Sequence, residues 1–215
     1  MRPMRPTRDP SRPLLARRRL LGGLAGFGLM APMLPLAGCS GSDPSYYTLT
    51  FQPGVARPGG PLTVEVRTPS VASYLDRDNI VRNDTGNRLK LANGASWASS
   101  LTDMISRTLV LDLSQRLPGS NVYTQSGAIS TEALALVELD ISRVLEDASG
   151  NAEVQATLLV HRPDSGPSAS RSLHFIQRPA DAGIGALVAA LSMALGQVAD
   201  AAADTLRALP PSGSS

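Results

Sequence analysis

Leu134-Ala135-Leu136-Val137-Glu138-Leu139-Asp140-Ile141-Ser142-Arg143-Val144-Leu145-Glu146 alternates apolar and polar residues through its middle, from Val137 to Ser142. A period of two places Val137, Leu139, Ile141 and Arg143 on one face and Glu138, Asp140 and Ser142 on the other, the pattern of a strand with one wet face. Glu153–Arg162 repeats it, with Val154, Ala156, Leu158 and Val160 inward and Glu153, Gln155 and Thr157 outward. Ser149-Gly150-Asn151 joins the two as a hairpin turn. Asp164-Ser165-Gly166-Pro167 turns again into a third strand, Ser170–Arg178, which completes an antiparallel meander.

On the C-terminal side the period changes to that of a helix. Ile184, Leu187, Val188, Leu191, Leu195, Val198 and Leu206 form one stripe of a helix from Gly183 to Leu209, capped by Asp181 and stopped by Pro210-Pro211. Ala186, Ala189, Ala190, Met193 and Ala194 widen the stripe, so the segment is buried on two sides or meets another subunit or a lipid. On the N-terminal side, Ser96 is the candidate N-cap for a helix from Trp97 to Leu117, with Leu101, Ile105, Leu109 and Leu113 every four residues. Tyr46–Phe51, Leu62–Arg67, Asn79–Arg82, Arg88–Leu91 and Asn121–Thr124 read as short strands, the third and fourth forming a hairpin across Asn83–Asn87. The order predicts an α+β fold: a single domain over 46–209, mostly antiparallel sheet, with two long helices packed on one face. Residues 210–215 form a tail.

Residues 1–38 read as an export leader. Arg17-Arg18-Arg19 precedes the charge-free segment 20–38, which is too short and too rich in Gly and Pro for a comfortable span. Leu36-Ala37-Gly38 before Cys39 has the form of a lipobox, with Cys39 as the acylated first residue of the mature chain. A simple leader with a chance cysteine is the alternative. Arg17 and Arg18 also match a twin-arginine export signal, and the choice between that route and the general one stays open. Residues 39–45 would be a lipidated tether.

Removing the leader changes the sign of the charge. It holds seven arginines against one aspartate, leaving 13 basic and 17 acidic residues and no cysteine beyond Cys39. This excludes an internal disulfide and disfavours nucleic acid, which calls for a clustered basic surface. His161 and His174 have no Cys or carboxylate triad beside them, so no metal site is indicated. Asp76-Arg77-Asp78 reads as an ion-paired turn rather than a Mg²⁺ site. There is no nucleophile elbow or phosphate loop, so neither catalytic residues nor a cofactor are expected. Tyr74-Leu75-Asp76-Arg77 remains as a contact loop, or else as a plug of the core edge.

These marks in this order resemble the ABC-type transport auxiliary lipoproteins, the PqiC-like family. They are the lipobox at Cys39, Tyr46-Tyr47-Thr48-Leu49, Tyr74-Leu75-Asp76-Arg77 before Ile80-Val81-Arg82, Trp97-Ala98 ahead of Leu101, and a closing apolar helix. Where that family usually carries an acidic residue and a proline after Trp-Ala, this chain has Ser99-Ser100. The resemblance implies a non-enzymatic, lipid-anchored component facing the periplasm from the outer membrane. Its partners would be an MCE-domain protein and ABC transporter subunits of a lipid-transport system, and it would form a ring-type homo-oligomer. Tyr74, Leu75, Asp76, Arg77 and Trp97 are the candidate interaction residues. The alternative function is a periplasmic carrier that shields an acyl chain between the last helix and the sheet.

Overall fold

In chain order the elements are β1 (Ser45–Tyr47), β2 (Thr63–Val66), β3 (Ser70–Val71), β4 (Asn79–Thr85), β5 (Arg88–Trp97), α1 (Leu101–Arg116), β6 (Asn121–Thr124), β7 (Ala135–Glu146), β8 (Ala152–His161), β9 (Ser168–Gln177) and α2 (Ile184–Ala208). They are seen in a computed structural model that describes residues 44–85, 87–125, 131–163 and 168–210, all within one compact unit. The expected leader, Leu36 to Cys39, most of the tether, the 164–167 turn and the tail beyond Pro210 lie outside the described residues.

β7 is the axis of the sheet. One of its edges pairs antiparallel with β8 along its length, and β8 pairs antiparallel with β9 over ten unbroken rungs. The other edge receives three short parallel strands in succession: β2 at Ala135–Val137, β3 at Asp140–Ile141 and β4 at Glu146. From there the sheet forks, β2 leading to β6 and β4 to β5 and β1. The long ladders are antiparallel because tight hairpins join them; Gly150 at φ 84° supplies one such turn. The short ladders are mostly parallel because they need crossovers, such as the one α1 makes between β2 and β6.

Both helices cover one face: α2 lies on β7, β8 and β9, and α1 lies on α2 and β6. By length and hydropathy α2 alone among the described helices would qualify to cross a membrane. Here its stripe (Leu187, Val188, Leu191, Leu195, Val198, Leu206) is buried against Val154, Ala156, Leu158 and Val160 and against α1, each at most 5% exposed. The helix–sheet seam is filled by these side chains, so an acyl chain would have to displace them.

Four expectations need correction. The first helix starts at Leu101, not Trp97, because β5 runs on through Ser96 and Trp97: Trp97 N–H donates to Asp78 O (2.6 Å), and Ser96 sits in register with Tyr46 and Asn79. Ser100 is the true N-cap, its Oγ accepting from Asp103 N–H. Arg143 is not inward: a bulge between Ile141 and Arg143 turns it to the wet face and brings Val144 opposite Val154. α2 has Gly183 at its N-cap, and Asp181 instead accepts from Gly183 N–H (2.7 Å). The first strand stops at Tyr47, and residues 48–57 leave the sheet altogether.

Candidate functional site

Residues 48–57 form a strap lying lengthwise in the groove between α1 and α2. The contacts advance in step along all three segments. Ala98 N–H donates to Tyr47 O at the start, Thr50 N–H to Ser192 Oγ (3.1 Å) and Gln52 N–H to Asp112 Oδ1 (2.8 Å) in the middle, and Arg57 N–H to Arg116 O (3.1 Å) at the end. The two helices are therefore parallel, and their negative C-terminal ends lie side by side. Gly196 lets the strap lie close against α2: a Cβ there would sit 2.7 Å from Gln52 Cβ.

Arg116 closes this junction. Its guanidinium, 2% exposed, donates to Asp200 Oδ1 (2.6 Å), Gln52 O (2.8 Å), Gly196 O (3.0 Å) and Asp112 O (3.1 Å). Arg207 adds a second cation at the same end, donating to Arg116 O (2.7 Å) and Asp204 (2.8 Å). An open cleft of about 450 Å³ faces Arg57, Arg116, Asp200 and Arg207. The guanidiniums of Arg116 and Arg207 already hold partners, so the cluster braces the strap rather than presenting free charge. Sequence reasoning missed it, although a sign was present. Asp112 and Arg116 fall at i+3 and i+7 from Leu109, on the apolar stripe, where isolated charges are costly unless paired.

Asp112 is fully buried, and its Oδ2 finds no hydrogen-bond partner among the described residues. Burial pushes its carboxyl from 3.8 up to about 6, against the opposing pull of Gln52 N–H and Arg116. A folded-state pKa above the unfolded one means that protonation favours the fold. That contribution is full below about pH 4 and is lost as pH rises through about 6. Asp112→Asn should therefore melt higher than the parent at pH 8 and converge with it toward pH 4, as read from melting curves at each pH. A substituted protein that melts lower than the parent at pH 8 would contradict this.

The five candidate interaction residues divide between inside and outside. Leu75 (1% exposed) and Trp97 (5%) belong to the core. Tyr74 is half-buried, and its hydroxyl donates to Ser142 O (2.6 Å) on the wet face of the sheet. Desolvation pushes its phenol above the usual range, partly countered by Arg143. Asp76 and Arg77 stand exposed at the tip of the loop. Behind the loop the wet face carries a polar chain, Arg143 to Glu153 (2.7 Å) to His174 (3.0 Å). His161 pairs separately with Glu138 (3.2 Å). The two histidines sit six rungs apart along β8, and among the described residues no group of His, Cys, Asp and Glu is arranged to hold a metal.

The sequence profile of the ABC-type transport auxiliary lipoprotein component matches residues 47–203, from β1 to the next-to-last turn of α2. No curated protein matches the chain. Among solved structures, a crystal structure titled only as that of an uncharacterized protein superposes with a TM-score of 0.63 at 22% identity, covering 75% of this chain and 97% of that one. A Xanthomonas campestris protein of the DUF330 family gives 0.63 at 20% identity, covering 76% and 96%. At these identities the likeness is one of fold. The profile match spans both helices, the strap between them and nearly the whole sheet, and by it the chain belongs to the ABC-type transport auxiliary lipoprotein family.

Proposed function

We propose that this protein is a lipid-anchored, non-catalytic component of an MCE-type lipid-transport system, held at the outer membrane and facing the periplasm. The family match over residues 47–203 carries the reading, since the family is an auxiliary of ABC-type transport. Cys39 would supply the anchor and residues 40–45 the reach, after export directed by Arg17, Arg18 and the lipobox residues Leu36, Ala37 and Gly38. Ser40, rather than aspartate, follows the acylated cysteine, which favours release to the outer membrane. The exposed Asp76 and Arg77, braced from behind by Tyr74 and Leu75, are the contact points for an MCE-domain protein or a neighbouring subunit of a ring. Trp97 supports that loop from the core, through the bond of its N–H to Asp78 O. The carrier reading loses support from the filled seam beneath α2.

Affinity purification of the tagged full-length protein from detergent-solubilised envelopes tests the proposal. It should recover an MCE-domain protein and ABC subunits, and a charge-reversed loop (Asp76→Lys with Arg77→Glu) should recover several-fold less. Recovery of neither class by the parent protein would overturn the reading.

A further inference from the structure

Phe51, Leu111 and Met193 are large apolar side chains left 42%, 57% and 47% exposed on the side of the helix layer that faces away from the sheet. Phe51 and Leu111 line one groove of about 410 Å³, floored by Leu49 and Met104, where the strap crosses α1. Met193 stands on the adjoining face of α2, in line with exposed Gly185 and Ala189, and the outward residues of that helix carry no charge until Asp200. Arg107, its side chain 73% exposed and paired with Asp103 (3.0 Å), borders the groove. From one helix to the other the surface thus reads Leu111, Phe51, the uncharged polar pair Thr50 and Gln52 of the strap, and Met193, with one charged pair at its rim.

We propose that this surface rests on the bilayer in which the acyl chains of Cys39 are embedded. The proposal builds on the lipid-anchor reading and adds an orientation to it. The length of chain ahead of the domain favours a lipid partner. Five residues separate Cys39 from Ser45, six steps along the chain and a contour of about 20 Å at most. They enter at β1, whose Tyr47 meets Ala98 just ahead of α1 and lies beside Gly185 in the first turn of α2. A tether that short holds the starts of both helices next to the bilayer, while Asp200, Asp204, Arg207 and Arg57 sit at the opposite end.

Size argues the same way. A stable dimer buries about 800 Å² per partner, more than three scattered side chains offer. A tethered domain needs much less, because the anchor already supplies a high effective concentration at the surface. Phe51, Leu111 and Met193 would enter the boundary between headgroups and acyl chains, with the Arg107 guanidinium level with the phosphates. In that pose the acidic wet face, with Glu138, Asp140 and Glu153, and the Asp76–Arg77 tip point away from the membrane and toward protein partners.

The test uses the full-length, acylated protein in vesicles of phosphatidylethanolamine and phosphatidylglycerol. With the only native cysteine acylated, Phe51→Cys, Leu111→Cys and Met193→Cys each provide a unique thiol for a fluorescent label; Thr157→Cys and Asp204→Cys serve as controls. Nitroxide groups at shallow acyl positions should quench the three patch labels at least about threefold more than the controls, given insertion to 5–10 Å. Adding Phe51→Glu and Met193→Glu should reduce quenching of the Leu111 label to the control level. Equal quenching at all five positions in protein that floats with the vesicles would overturn the orientation and leave the anchor standing. Protein that does not float at all would remove the anchor reading and this one with it. Shielding from aqueous iodide that grows with protein density, without lipid quenching, would overturn the proposal in favour of a second copy.

Discussion

Replacing Arg116 with methionine should cost about 3–5 kcal/mol of folding stability, the range for stripping one partner from a buried, hydrogen-bonded charge cluster. For a domain of this size that corresponds to a fall of roughly 10 °C in melting temperature. Methionine fills most of the volume, so the loss would come from the acceptors. The carbonyls of Gln52, Asp112 and Gly196 would each lose a donor behind a guanidinium that is itself only 2% exposed, and the Asp112 carboxylate would lose the pull of that cation. The parallel helices aggravate this, because Arg116 is one of two cations facing their paired C-terminal ends. The opposite truncation should be mild. Asp200→Asn keeps an oxygen acceptor for Arg116 and leaves Asp112 beside the guanidinium as an anion, so it should cost less than the methionine change. Urea unfolding checks both, with a lower midpoint and an unchanged slope expected for the methionine variant. A loss below about 1 kcal/mol there would mean that water enters the junction and that the strap is not braced by this residue.

What was legible in the sequence, and what was not, follows from which partners are local. The meander β7–β8–β9 and the α2 stripe come through because period two and period 3.6 are written in consecutive residues. The bulge at Ser142 and Arg143 does leave a local sign, two polar residues in succession followed by Val144; a strict period of two carried through them puts Arg143 on the wrong face. Tyr46–Phe51 has the composition of a longer strand. Its second half is pulled out of the sheet by Ser192 and Asp112, which lie 142 and 60 residues away. The helix start was displaced for the same kind of reason: Ser96 is a good capping residue by type, but Asp78 and Tyr46 hold that stretch in the sheet. Of the candidate site, the Tyr74–Arg77 loop was visible as a concentration of aromatic and charged residues. Its division into buried Leu75, braced Tyr74 and exposed Asp76 and Arg77 depends on Ser142, 68 residues along the chain.

Cys39→Ser should abolish acylation and with it residence in the outer membrane. The serine hydroxyl cannot form the thioether that precedes cleavage, so the product should keep residues 1–38 and run larger than the parent. Labelled palmitate should fail to incorporate. The size of the effect follows from chain counting. Each buried methylene adds about 0.8 kcal/mol and one myristoyl-length chain binds only marginally, so stable residence needs the several chains that only the thiol route provides. The Phe51–Leu111–Met193 surface cannot substitute for them. Three half-exposed side chains contribute a few kcal/mol by area, enough to orient a tethered domain and too little to hold a free one. An uncleaved leader would be expected to hold the product at the inner membrane instead. Density-gradient separation of the two membranes, read together with palmitate labelling, distinguishes the cases. An uncleaved, unlabelled product that still bands with the outer membrane would mean that the domain is held there by protein contacts alone, and the anchor would cease to explain its location.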